Sequence, residues 1–150
     1  MNIGYLLSFL LSWAAGTGFA LAFRIGIRDA LWAGVAAGCG WTIFHGLDAL
    51  GVGNGFATFG GAFGIAAAAE VLARLRREPV TLFFIGGIIP LVPGVTTYRA
   101  MQAFAQGQVT QGLGGIFTAF VDAGAIAAAL AMADGIAQGV SGALRRRRHP

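Results

Sequence analysis

His45, Asp48, Glu70, Arg99 and Asp122 interrupt otherwise apolar stretches of this 150-residue chain. Ionisable groups in apolar surroundings are costly, and in a membrane they usually mark the path of an ion or substrate. His45 and Asp48 are three apart and share a helix face, with Thr42 one turn earlier. Glu70 stands four residues before Arg74, so it either carries a proton or closes an interfacial pair. Asp48 lies near the outer end of its stretch, where water can solvate it. Asp134 falls near the inner end of the last stretch and is expected at the interface. Asp122 has apolar or small neighbours for about a turn on both sides. It is the best candidate for a buried acid that binds a proton or pairs with a cation. Arg99, beside Thr96, Thr97 and Tyr98, can receive a substrate carboxylate through two parallel hydrogen bonds, or it can neutralise Asp122 or Asp48.

The second informative feature is the run Gly86-Gly87-Ile88-Ile89-Pro90-Leu91-Val92-Pro93-Gly94, at the middle of a long apolar segment. Proline removes a backbone donor and clashes with the preceding turn, so Pro90 and Pro93 predict a broken helix. Freed backbone groups at membrane depth are tolerated where they are buried in protein or line a wet cavity. A half-helix starting near Gly94 would aim N–H groups and a positive dipole end at an anionic substrate group. A simple proline kink is the plainer alternative.

These residues need elements to hold them, and the composition says which. Charged residues make up 11% of the chain, against about 25% for a soluble domain. So little charge cannot cover a water-facing surface. A spanning helix takes about 20 mostly apolar residues, and five stretches meet that measure: 3–23, 31–50, 56–75, 80–103 and 113–136. The expected fold is an all-α, polytopic transmembrane bundle of about five spans, or four plus one broken or re-entrant. A basic tail covers 137–150. The start of the chain resembles a signal peptide at Ala20-Leu21-Ala22, but it lacks a positive n-region and reads as a retained first helix.

Basic loops stay in the cytoplasm. Arg24 and Arg28 follow the first stretch, Arg74, Arg76 and Arg77 the third, and Arg145 to Arg148 the fifth, whereas Arg99 falls toward the other side. The N-terminus is therefore expected outside and the C-terminus inside, in a multi-pass protein of a bacterial inner membrane. The Arg145–Arg148 run is expected to anchor to anionic lipids. It has no interleaved aromatics, which argues against nucleic acid. Small residues four apart, Gly34 with Gly38, Gly60 with Gly64 and Gly135 with Gly139, allow close helix approach or a homo- or hetero-oligomer.

Soluble-enzyme signatures are missing: there is no Walker loop, no His-Glu-x-x-His and no Gly-x-Ser-x-Gly. Cys39 stands alone, reads as a small buried residue, and excludes a cysteine metal cluster or intrachain disulfide. No metal, cofactor or enzymatic activity is expected.

The segment Arg77-Glu78-Pro79, then Ile88 to Gly94 with its Pro-Leu-Val-Pro-Gly core, then Tyr98-Arg99-Ala100-Met101, resembles the C-terminal half of the threonine/serine exporter family. The resemblance is sharp over Arg77–Met101 and rests elsewhere on length and span pattern. It implies secondary export of a small carboxylate-bearing solute, with a larger, separately encoded membrane subunit as partner. A succinate-like dicarboxylate and threonine or serine are the substrate classes it implies. Pro90, Pro93, Gly94 and Arg99 carry over from the motif as substrate-binding positions, with Thr96 and Thr97 beside them. Asp122, Glu70, His45 and Asp48 remain candidates for proton coupling from their chemistry alone. The rival reading is a non-transporting scaffold subunit that packs against a partner carrying the site.

Overall fold

The computed structural model describes the backbone of residues 3–146 and the side chains of residues 4–139. The described residues form α-helices without strands: α1 (Ile3–Ala22), α2 (Ile27–Ala49), α3 (Asn54–Arg76), α4 (Val80–Ile88), α5 (Gly94–Ala105) and α6 (Val109–Arg146). A single 3-10 turn, Ile89–Leu91, joins α4 to α5. The all-α, polytopic bundle expected from the sequence is the fold. α1, α3 and α6 are each long and apolar enough to cross a bilayer, and α4 with α5 qualifies as one span bent by 42°. α2 has the length, 23 residues, but carries Arg28, Asp29, His45 and Asp48.

Several boundaries differ from the hydropathy reading. α2 begins at Ile27 rather than Leu31, because Arg28 and Asp29 form its first turn. Hydropathy marks where a helix is apolar, not where it starts, and the dipole favours an acid in the first turn. α6 runs through residues 137–146, which therefore continue the last helix. Arg147–Pro150, and the side chains of Arg145 and Arg146, lie outside the described residues.

α2 is the central helix and touches α1, α3 and α4. Its buried residues are almost all alanine and glycine: Ala30, Ala33, Gly34, Ala36, Ala37, Gly38 and Gly40. Such a surface lets backbones meet, the form of helix association that works without a hydrophobic driving force. At the α2–α3 crossing, a Cβ on Gly40 would lie 2.9 Å from the Gly61 carbonyl oxygen, and one on Gly61 equally close to that of Gly40. At the α1–α4 crossing, a Cβ on Gly16 would lie 2.8 Å from the Gly86 carbonyl oxygen. Gly34 and Gly38 face Trp13 and Phe9 of α1, and Gly60 and Gly64 receive Leu47 and Ile43 of α2. Gly135 and Gly139 face open space, so the third small-residue pair takes no part in this packing. Phe83 and Ile65 are the largest fully buried side chains of the core.

The broken segment travels from one end of α3 to the other. Asn54 and Thr58, at the start of α3, bond to Asp122 of α6. Arg74, near the end of α3, bonds to the Ala137 carbonyl further along α6. α3 and α6 thus run parallel, and 80–105 must connect their opposite ends. A re-entrant loop would have left α6 antiparallel to α3.

Candidate functional site

Among the described residues, α5 touches no helix except α6. Ala100 packs on Gly115, and the Phe104 ring on Gly112. The buried or half-buried stripe of α6, Gly112, Gly115, Ala119, Asp122, Ile126, Ala129 and Ala133, repeats every three to four residues and forms one face. Its first part receives α5, and from Asp122 onward it receives α3. Asp122 therefore stands where α6 changes partners, near the middle of the apolar stretch Val109–Gly139.

Asp122 is 6% exposed. Its Oδ1 accepts hydrogen bonds from Asn54 Nδ2 at 2.6 Å and Thr58 Oγ1 at 3.2 Å. Buried carboxylates need such donors, because an unpaired charge away from water is strongly disfavoured. Oδ2 accepts none among the described residues. Neither Arg99 nor any other cation neutralises this acid within the described chain.

The helix break lies at the same height by two routes. Seven residues back from Ala100 is Pro93, and seven on from Gly115 is Asp122, so the antiparallel α5–α6 register sets Pro93–Gly94 level with the acid. On the other flank, Leu91 Cδ1 packs 3.0 Å from the Cβ position of Gly61, one turn from Thr58. The first turn of α5 has no side-chain cap. The Pro93 carbonyl accepts twice from Thr97, from its N–H at 3.1 Å and from its Oγ1 at 2.8 Å. A Cβ on Gly94 would meet nothing within 4 Å, so the break opens onto free space. The Gly94 N–H donates to the Val92 carbonyl at 2.7 Å, and the next N–H groups of the first turn are unpaired among the described residues, as at any helix start without a cap.

The other sequence candidates disperse. Thr96 and Pro90 are half-buried beside the break, whereas Arg99 is exposed on α5. Glu70 pairs with Arg74 at 3.7 Å, the interfacial alternative, and it lies about 18 Å along α3 from Thr58. His45 meets Trp41 and Phe44 edge-on, with ring centroids 5.0 and 5.7 Å away, and forms no hydrogen bond to Asp48. Asp48 is exposed. Asp134 is exposed and accepts from Gln138, as an interfacial acid would. Cys39 is half-buried rather than fully buried.

Asn54, Thr58 and Asp29 escaped the sequence reading. Asn54 sits in a glycine-rich connection and looks like turn residue only. Asp29 pairs with Arg76 at 3.0 Å, clamping the start of α2 to the end of α3. The signal for that pair was available: a lone acid beside Arg28, on the side where the third stretch also ends in arginines.

Residues 8–136 match the family described as Threonine/Serine exporter, ThrE. The chain belongs to the threonine/serine exporter family. It is similar to a probable threonine/serine exporter of Mycobacterium tuberculosis (strain ATCC 25618 / H37Rv), 31% identical over 98 residues. Those residues cover 65% of this chain and 18% of that protein, so the chain matches less than a fifth of the relative's length. No solved structure matches.

Proposed function

We propose that this chain is a membrane subunit of a secondary exporter for a small amino acid, and that the solute binds between the start of α5 and Asp122. The observation that carries this reading is the buried Asp122 with one free carboxylate oxygen, level with the uncapped, proline-broken start of α5. A zwitterion brings one carboxylate for the α5 N–H groups and one ammonium for Asp122. A hydroxy amino acid such as threonine or serine fits that pairing. A succinate-like dicarboxylate brings a second negative charge to Asp122 and requires a proton there. That ranks the amino acid first. Exchange of the same site between ammonium and proton gives the coupling, because either cation, but not both, satisfies the acid.

The subunit crosses the membrane five times, with α2 as the fifth crossing shielded by its neighbours, and sits in a bacterial inner membrane. A larger membrane subunit is its partner, a reading supported by the extra length of the matched relative. The experiment is counterflow of labelled threonine, serine and succinate in membrane vesicles carrying the protein with its native neighbours. Asp122→Asn and Arg99→Gln are the variants. Asp122→Asn is expected to reduce flux by at least about tenfold, the loss of about 1.4 kcal/mol of binding. Wild-type flux in both variants would remove these residues from the mechanism.

A further inference from the structure

We propose that the groove between α1 and α3, floored by the first turns of α2, binds the phosphate headgroup of an anionic phospholipid. Among the described residues α1 and α3 do not touch each other, and α2 packs against both. The resulting groove has a volume of about 520 Å³ and is lined by Trp13, Arg28, Leu31, Trp32, Val35 and Arg76. Its chemistry is divided. Trp13, Leu31, Trp32 and Val35 make an apolar wall that suits the upper part of an acyl chain. Arg28 and Arg76 add two guanidinium groups from different helices.

Both arginines are available to a phosphate. Arg76 engages Asp29 through Nε at 3.0 Å, which orients the guanidinium by one edge and leaves its terminal nitrogens for a second anion. Arg28 is exposed and forms no ion pair among the described residues. One carboxylate against two guanidiniums leaves the groove one positive charge in excess. Planar guanidiniums bind phosphate through paired N–H donors. The indole of Trp13 donates Nε1–H to the Leu31 carbonyl at 3.2 Å, which fixes the ring against α2. Trp32 is 44% exposed at the rim. Tryptophan at headgroup level beside basic residues is the pattern of a membrane interface, and anionic lipids gather where arginines do. The groove is about 27 Å along α3 from Thr58, so it is separate from the proposed solute site and does not rest on it.

The test uses the full chain carrying Trp41→Phe, which leaves Trp13 and Trp32 as the fluorophores. It is reconstituted in phosphatidylcholine vesicles with an equal minor fraction of either brominated phosphatidylglycerol or brominated phosphatidylcholine. Bromine quenches only at close range, so the readout is local to the groove. The brominated anionic lipid is expected to quench more strongly. Each of Arg28→Gln and Arg76→Gln should lower that preference by about fivefold, the worth of one arginine at an anionic surface. Arg28→Lys should keep only the part due to charge, because an ammonium lacks the paired donors. Equal quenching by both lipids would overturn the proposal. So would a preference that survives Arg28→Gln with Arg76→Gln, because the C-terminal arginines would then be its source. Relief of quenching by inorganic phosphate would make the groove a soluble-anion site and equally overturn it. Arg28→Gln leaves the Asp29–Arg76 pair intact, so this arm decides even if Arg76→Gln misfolds.

Discussion

At the scale of single residues, Asp122 and its two donors separate binding from folding. Asp122→Asn keeps shape and volume but removes the negative charge, and the new amide can still accept from Thr58. Its thermal unfolding midpoint in detergent should stay near wild type while threonine counterflow falls at least about tenfold. Unfolding in step with lost flux would instead make Asp122 a structural residue. Asn54→Ala removes the 2.6 Å bond to Oδ1. Hydrogen bonds between membrane helices average only about 0.6 kcal/mol, although bonds to charged groups in proteins reach about 1.5–3 kcal/mol. The bond is short, charge-assisted and to a buried acid, so a loss near 1–2 kcal/mol is expected. Equilibrium unfolding in mixed micelles checks it, and a stability equal to wild type would show that water or lipid replaces Asn54.

At the scale of elements, glycine contacts and the proline break make opposite predictions about stability. Gly40→Ala would drive a methyl against the Gly61 carbonyl oxygen at 2.9 Å, and backbone cannot rotate away. Overpacking of this kind costs about 1–3 kcal/mol. Gly135→Ala meets open space and gains up to about 1 kcal/mol of helix propensity. A thermal scan should therefore move the two variants in opposite directions, and a shared direction would contradict the packing described here. The double variant Pro90→Ala with Pro93→Ala favours a continuous helix across 80–105. Its stability should hold or rise, because proline costs about 3 kcal/mol inside a helix, while counterflow falls at least about tenfold. Undiminished flux would reduce the break to a kink without a role.

At the scale of the whole molecule, α3 and α6 run parallel, which requires the broken segment to pass from end to end of the bundle. The five crossings proposed above put the termini on opposite sides, with the arginine-rich ends of α1, α3 and α6 together. A compartment-sensitive reporter fused after Pro150 should be active in the cytoplasm, and one fused before Met1 outside it. Activity of both on the same side would require an even number of crossings and would overturn the orientation. α2 is the helix whose packing face differs most from a lipid-facing one. On the face it turns toward α1, α3 and α4, this helix needs small residues more than bulky apolar ones.

His45, Asp48, Glu70 and Asp122 all read as intramembrane ionisable residues; their neighbours in sequence ranked them, and the fold gave each its partners. Sequence determined the membrane class, the helical fold, the break at Pro90–Pro93 and the asymmetry of the arginines, because each follows from local chemistry: transfer of side chains to lipid, the missing proline N–H, and charge near a helix end. It also singled out Asp122, whose neighbours offer no solvent. Which partners satisfy that acid was a tertiary decision. Asn54 and Thr58 lie more than sixty residues away, at separations of 68 and 64, and only the parallel packing of α3 on α6 brings them within bonding distance. Arg99 stayed exposed on α5, Glu70 closed its local i,i+4 pair with Arg74 within α3, and the packing of α2 on α3 joined Asp29 to Arg76. Local pattern states what a residue costs in a membrane, and long-range packing states who compensates it.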